Sequence, residues 1–291
     1  MAKRIVLFLV TNLAIITTLS IVLSLLGVSG YITPAGGLDF IALGVFCFVW
    51  GMGGAFLSLQ LSRWSAKRLM GVQLVDGQSG NQDFDWLYNT IGHLTRQSNL
   101  PMPEVGVYDS PEVNAFATGP SKRRSLVAVS TGLLRNMTRE EVQGVLAHEV
   151  SHIANGDMVT MTLLQGVVNA FVMFFARVVA HVVRMSLDSR NADAIAFVVM
   201  IVLQIALGIL GYLVVAAFSR HREFRADAGG ASLAGRGAMV GALKRLVATQ
   251  ERVDTSRPTL ASFKIAGGRG FSQLWATHPP LERRIAALQQ A

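Results

Sequence analysis

Four apolar runs of membrane-spanning length constrain the fold of this chain more than any other feature of its sequence. A helix needs about 20 apolar residues to cross the hydrocarbon core of a bilayer. Runs of that length occupy residues 5–26, 40–61, 158–183 and 194–218. Hydrophobic residues make up 51% of the chain and charged residues only 15%, a balance that excludes an ordinary soluble protein. The sequence therefore predicts a multi-pass membrane protein.

The basic residues fit a lipid partner better than a nucleic acid. The net charge is +8, but the Lys and Arg residues are scattered between the apolar runs, and residues 122–124 are their longest cluster. Basic residues next to apolar runs instead suit anionic headgroups and orient the helices. Such residues flank both outer ends of the first two runs, so we expect a hairpin with both ends on the cytoplasmic side. We predict the lipid bilayer as a partner and no nucleic acid.

The last two apolar runs admit two interpretations. Their length favours a second membrane hairpin, predicted at residues 158–218. However, the first of them contains polar side chains that are costly in lipid, so a helical hairpin buried in a soluble domain remains the alternative. These side chains are Gln165, Asn169, Arg177 and His181.

The remaining segments have the composition of a soluble domain, which the second hairpin divides. We predict an N-terminal membrane hairpin at 1–61 and the two parts of the soluble domain at 62–157 and 219–291. Helical spacing predicts a helix over 83–98, and β-favouring runs at 104–108, 113–118 and 125–130 predict a small sheet. A capping box, formed by Thr138 and Glu141, predicts the start of a further helix. The predicted fold class is mainly α, with helical membrane hairpins and an α+β domain that has a small sheet.

The sequence His148-Glu149-Val150-Ser151-His152 lies inside that last helix and predicts a metal site. Residues four apart share one helix face, so both imidazoles can bind one ion. Zn²⁺ accepts nitrogen and oxygen ligands in a tetrahedron and leaves a position for water, beside which Glu149 would act as the catalytic base. The alternative is a surface helix with two solvated histidines. We predict one Zn²⁺ per chain.

A third ligand must come from elsewhere in the chain. The extended form of the motif needs Gly and His where this sequence has Asn155 and Met158. The best candidate is Glu223, on a helix just beyond the last apolar run, with Asp227 on the same face to orient a ligand imidazole. The alternative is that both carboxylates form solvated ion pairs with the neighbouring basic residues.

Two weaker patterns concern substrate and the transition state. The segment Asn114-Ala115-Phe116-Ala117 lies on a predicted strand, and an exposed edge there would pair with an extended peptide. By composition alone, an ordinary strand with Phe116 in the core is the favoured interpretation of this segment. His278 would stabilise the tetrahedral oxyanion if its loop reaches the metal, although a lone loop histidine is more often solvated.

Together these motifs, with Asn155-Gly156-Asp157 and Thr277-His278-Pro279, resemble the HtpX membrane metalloproteases, relatives of the CAAX prenyl endopeptidases. The resemblance covers essentially the whole chain and implies a zincin-like protease domain made of 62–157 and 219–291. It implies His148, His152 and Glu223 as zinc ligands, Glu149 as base, and residues 114–117 as the segment that holds substrate.

The resemblance also implies a bacterial inner-membrane endopeptidase whose site faces the cytoplasm. Such an enzyme would cleave misfolded or damaged membrane proteins, and unfolded polypeptides generally, under heat or envelope stress. Two other classes remain open, a membrane scaffold with a structural metal and a zinc hydrolase that acts on something other than peptide.

Overall fold

The structure, a computed structural model, describes residues 17–19, 21–27, 30–188, 190–256 and 276–290. Most of these residues are helical, and four short strands form one sheet. The helices are α1 Phe40–Met70, α2 Gln82–Gln97, α3 Thr131–Asn136, α4 Arg139–Asn155, α5 Asp157–Ser186, α6 Ala192–Ala234, α7 Arg236–Ser256 and α8 Leu281–Gln290. The strands are β1 Gln73–Val75, β2 Glu104–Tyr108, β3 Ala115–Ser121 and β4 Arg124–Ser130.

Three of these helices, α1, α5 and α6, are each long and apolar enough to cross a membrane. Only 17% of the most apolar window of α5 and 11% of that of α6 is buried. Most of each window is therefore exposed, unlike the core of a soluble domain, and a second membrane hairpin stays the prediction. Of the first apolar run, residues 17–19 and 21–25 are helical, and residues 5–16 lie outside the described residues.

The chain divides into two compact units. One consists of Met1–Leu59 and Met161–Val215, and the other of Gln60–Thr160 and Ala216–Ala291. The second unit combines chain segments from both sides of the two long apolar stretches of α5 and α6. It contains the sheet, the predicted metal ligands and most of the polar residues.

The sheet of the second unit has the strand order β1-β2-β4-β3. The strands β2 and β4 are parallel, whereas β1 and β3 are antiparallel to their neighbours. Three of the strands were predicted from their β-favouring runs; β1 was missed because three residues are too short for a periodic pattern. Since β3 is the last strand in the order, it is an edge of the sheet, next to α4.

Apolar side chains of α2 and α4 cover one face of the sheet and form the main core. Ile91 of α2, Val127 of β4 and Leu146 of α4 are completely or almost completely buried in it. The predicted capping box begins α4, with Thr138 and Glu141 each bonding the other's backbone N–H. At the other end Gly156 adopts a φ of +70°, a conformation that favours glycine, and α5 begins at the next residue.

Gly144 lets α4 and α7 approach closely, and we expect Gly144→Ala to destabilise the protein. A Cβ at this position would lie 2.5 Å from the carbonyl oxygen of Ala238. Overpacking against a backbone outweighs the gain in helix propensity, leaving a loss of about 1 to 2 kcal/mol, or ~2–8 °C in Tm. Thermal unfolding in detergent measures this shift.

The matched control is Gly241→Ala on the facing helix. A Cβ at residue 241 would lie 3.7 Å from Glu141 Cγ, an ordinary contact, so Tm should stay the same or rise. An equal fall in Tm for both variants would contradict the argument from close packing.

Candidate metal centre

Three side chains predicted as ligands converge in the second unit. The Nε2 atoms of His148 and His152 lie 3.0 Å apart because the residues occupy successive turns of one face of α4. Glu223 of α6 lies 3.6 Å from His148 Nε2 and 3.4 Å from His152 Nε2, each distance measured to one of its carboxylate oxygens. All three side chains are buried. The solvated alternatives for the histidines and for Glu223 therefore do not describe this site.

The spacing of these atoms fits a tetrahedral cation. Ligands about 2.0–2.1 Å from zinc at tetrahedral angles are roughly 3.3 Å from one another, close to the three distances found. Glu223 is completely buried, and its Oε1 atom has no hydrogen-bond partner. A buried carboxylate oxygen without a partner raises the free energy of the folded protein. An oxygen that binds a metal ion has its partner in that ion, so the unpaired Oε1 atom is consistent with a role as metal ligand. The donor set of two imidazoles and one carboxylate suits zinc.

Each imidazole is held from behind by its own carboxylate. The Nδ1 atom of His148 lies 2.9 Å from Asp227 Oδ1, and that of His152 lies 2.6 Å from Asp157 Oδ2. A carboxylate in this position fixes the ring orientation and makes Nε2 a stronger ligand. Two carboxylate–imidazole pairs thus point both Nε2 atoms at the same space.

Both carboxylates are in turn paired with arginines. Arg284 of α8 donates Nε and Nη2 to the two oxygens of Asp227, at 2.7 and 2.6 Å. Arg225 donates to Asp157 at 2.6 Å. The Asp227–Arg284 pair is buried on both sides, and its bidentate geometry is the strong form of this interaction.

Neither Asp157 nor Arg284 was among the residues predicted for the site. Asp157 follows the motif helix by two residues, and only the turn at Gly156 returns its side chain to His152. Arg284 is 57 residues from Asp227. The sequence contained one indication that Arg284 is buried. It lies on the same face of the amphipathic helix α8 as Leu288, which is the inward face.

The histidines and the glutamate of this cluster stabilise each other's charged forms, and their pKa values are shifted accordingly. Burial raises the pKa of a carboxyl, but hydrogen bonds from the surrounding histidines outweigh it and hold the pKa of Glu223 well below its ordinary value. Burial lowers the pKa of His148 and His152, yet bonds to carboxylates outweigh it, so the pKa of His148 is raised and that of His152 rises to about 9. A cation that binds here displaces those protons, because a ligand imidazole must be neutral.

A cavity of about 630 Å³ opens beside the site, and two of the three predicted ligands, His148 and Glu223, line it. Glu149 lines it next to His148, as do Asn114 and Ala115 at the start of β3. Phe116 and Ala117 do not line it: Phe116 packs against Tyr108, with ring centroids 5.8 Å apart, and Ala117 packs against the main core. The structure thus brings the first half of the predicted substrate segment to the cavity.

His278 also reaches the site. Its Nδ1 donates to Glu223 Oε2 at 2.7 Å, and 61% of its side chain is exposed. The loop histidine is therefore next to the predicted metal position while part of its ring faces the cavity.

We expect Asp227→Asn to weaken zinc binding about 10- to 100-fold, the usual effect of removing an outer carboxylate. The change keeps the shape of the side chain but removes the charge that holds the His148 ring, and it takes away the bidentate carboxylate partner of Arg284. Zinc retained in competition with a chelator measures the loss. Asp193→Asn, an exposed aspartate that pairs with Arg184, should bind zinc like the wild type; wild-type affinity in both variants would refute this role of Asp227.

Comparisons with known proteins agree over most of the chain. The model of peptidase family M48 matches residues 81–291. The protease HtpX homolog of Thiobacillus denitrificans is 52% identical, with 99% of both chains covered. Protease HtpX of Cellvibrio japonicus is 51% identical over 99% of this chain and 98% of the relative.

The fold also matches a solved structure. A crystal structure of S. mikatae Ste24p superposes with a TM-score of 0.64, covering 99% of this chain and 67% of the other at 16% identity. At that identity the match concerns the fold. The family resemblance and the fold class expected from the sequence motifs are confirmed.

Proposed function

Because the chain belongs to peptidase family M48 and is a membrane metalloprotease, we propose that it is a zinc-dependent endopeptidase that hydrolyses membrane and unfolded proteins. The observation that supports this most strongly is the convergence of His148, His152 and Glu223 beside a cavity that His148, Glu223 and Glu149 line. A structural metal would be enclosed by a fourth protein ligand, whereas this site opens to a cavity large enough for peptide.

In the proposed mechanism zinc, held by His148, His152 and Glu223, would activate a water and polarise the substrate carbonyl. Glu149 accepts the proton of the attacking water and then passes it to the leaving amine. Asp227 and Asp157 keep the two imidazoles in place throughout.

His278 is proposed to stabilise the oxyanion that forms on the substrate. Its Nδ1 already donates to Glu223, so Nε2 can donate only when the imidazole is protonated. The neighbouring Arg284, 3.6 Å from Glu223, adds a fixed positive charge on the same side.

Substrate would bind along β3 as an added strand. Asn114 accepts from Ser130 across the β3–β4 ladder, and hydrogen-bonded pairs alternate along antiparallel strands. The backbone groups of Ala115 and Ala117 therefore point away from β4, to the open edge. An extended peptide that pairs with Ala115 would pass beside Glu149, because both residues line the cavity.

The proposed location is a bacterial inner membrane, with the site on the cytoplasmic side and a role in stress-related quality control. Basic residues follow the apolar part of α1 at Arg63, Lys67 and Arg68 and that of α6 at Arg220 and Arg222, which favours a cytoplasmic position for those ends. The relatives named HtpX are bacterial proteases. Misfolded or damaged membrane proteins are the substrates that such a location would supply.

We expect Glu149→Gln to retain zinc and to lose cleavage by at least ~10²-fold, because the amide cannot accept a proton. The measurement is cleavage of an unfolded membrane protein by purified enzyme in detergent, with the zinc content of each sample. His148→Ala should lose both zinc and activity. If wild type and Glu149→Gln bind zinc equally and neither cleaves, the protein is a scaffold; undiminished cleavage by Glu149→Gln would remove Glu149 as the base.

We expect Ala115→Pro to lower kcat/KM for peptide substrates about 5- to 10-fold, since it removes one edge N–H that substrate would bond. Proline is tolerated on an edge strand when its nitrogen faces outward, so zinc content and Tm should change little. Ala115→Ser keeps the N–H and serves as the control. Equal kcat/KM for the two variants would argue against strand addition at this edge.

A further inference from the structure

The cavity beside the metal centre has an apolar part that the proposed mechanism does not use. Among the residues that line the cavity, His148, Glu149 and Glu223 carry the proposed chemistry. Six further lining side chains are apolar and come from α3, α4 and α7, and we refer to them together as the apolar wall. They are Leu133, Val145, Met239, Ala242, Leu243 and Leu246.

Val145 brings the apolar wall next to the proposed base. It precedes Glu149 by four residues on α4, so the two side chains are neighbours on one face of the helix, and both line the cavity. Val145 is half-buried, which leaves part of its side chain open to the cavity. A substrate residue at the bond that Glu149 helps to cleave is therefore within reach of the wall.

The helix α7 supplies most of the wall as an apolar stripe. Met239, Leu243 and Leu246 are separated by four and three residues and therefore lie on one face of α7. Met239 and Leu243 are almost completely buried and pack in a cluster with Leu288 of α8. This packing fixes the stripe, so the wall exists before substrate binds.

The wall offers no partner to an acidic side chain. Among the described residues that line the cavity outside the metal centre, the polar ones are Asn114 and Glu282, and Glu282 is exposed. An acidic substrate side chain against the wall would lose its hydration without gaining a cationic partner there. It would also lie in a cavity that already contains the carboxylates of Glu149 and Glu282. The lining therefore favours an apolar side chain and rejects an acidic one.

The strand β3 explains how a substrate side chain reaches the wall. Ala115 lines the cavity and packs against the main core, on the sheet face that α4 covers. A peptide added to this edge points every second side chain to the same face. The cavity volume of about 630 Å³ is in the range of pockets that enclose a ligand, so it has room for a large side chain beside the peptide backbone.

We propose that the apolar wall binds a large apolar side chain of the substrate, such as leucine, methionine or phenylalanine, next to the bond that is cleaved, and that Val145 limits its size. The inference rests on the proposed peptidase function and names the substrate class of the same site. Folded soluble proteins bury such side chains, so unfolded and membrane polypeptides are the ones that present them.

The first measurement maps the bonds that the full-length enzyme cleaves in an unfolded protein in detergent, by mass spectrometry of the products. We expect large apolar residues to be enriched at one position beside the cleaved bond and acidic residues to be depleted there. Peptides built on one mapped site, with leucine, phenylalanine, alanine or aspartate at that position, then give kcat/KM. The leucine peptide should exceed the alanine peptide by at least ~10-fold, the scale on which an apolar pocket discriminates between side chains, and the aspartate peptide should be the poorest.

Two substitutions of one residue test the size limit in opposite directions. Val145→Phe should lower the ratio of kcat/KM for the phenylalanine peptide to that for the alanine peptide about 10-fold, and Val145→Ala should raise it about 3-fold. Val247→Phe, at a half-buried valine of α7 that does not line the cavity, should keep the wild-type ratio. A variant that is only destabilised loses activity on both peptides alike, and its zinc content and Tm report that loss.

Equal use of apolar and acidic residues beside the cleaved bond would overturn the proposal. An unchanged ratio in both Val145 variants would overturn the role of Val145. Cleavage without side-chain preference removes this inference alone, whereas a zinc-loaded wild type that cleaves nothing removes the proposed peptidase function and this inference with it.

Discussion

The site depends on one constraint, the burial of a carboxylate charge between two imidazoles. Glu223 is completely inaccessible to solvent, and an unpaired charge in such a place costs several kcal/mol. The histidines of α4, together with His278, Arg284 and a bound cation, are the groups that can compensate it. Since α4 and α6 are separated in sequence by α5, the two helices must meet for Glu223 to be tolerated where it lies.

The carboxylates behind the imidazoles are also compensated by opposite charges. Each ligand histidine has one nitrogen for the metal and one for an aspartate, and each aspartate has an arginine. Charges therefore alternate in sign from the centre to the periphery. Such a network restricts both rings to one orientation, which is what a metal site needs before the metal arrives.

The long helices α5 and α6 combine two environments in single elements. Each contains an apolar stretch that can cross a membrane, together with one or more residues of the metal centre, Asp157 in α5 and both Glu223 and Asp227 in α6. Continuity of a helix does not by itself couple the metal centre to the apolar stretch. It does fix the rotational position of each side chain relative to its neighbours in the same turns of the helix.

The sequence by itself determined the features that depend on neighbours within about four residues. The capping box placed the start of α4, the spacing of the histidines placed both on one face, and the lengths of the apolar runs indicated membrane helices. Backbone geometry dictates these relations, so they hold in any surroundings.

Only the tertiary structure decided which carboxylate holds which imidazole. Asp157 and Arg284 reached the site unpredicted, Phe116 and Ala117 of the expected substrate segment pack away from the cavity, and β1 joined the sheet with three residues. Arg284 and Asp227 are 57 residues apart. A contact at that separation depends on how α6, α7 and α8 pack. The packing energy is a sum over many apolar side chains, and a local sequence pattern cannot predict it.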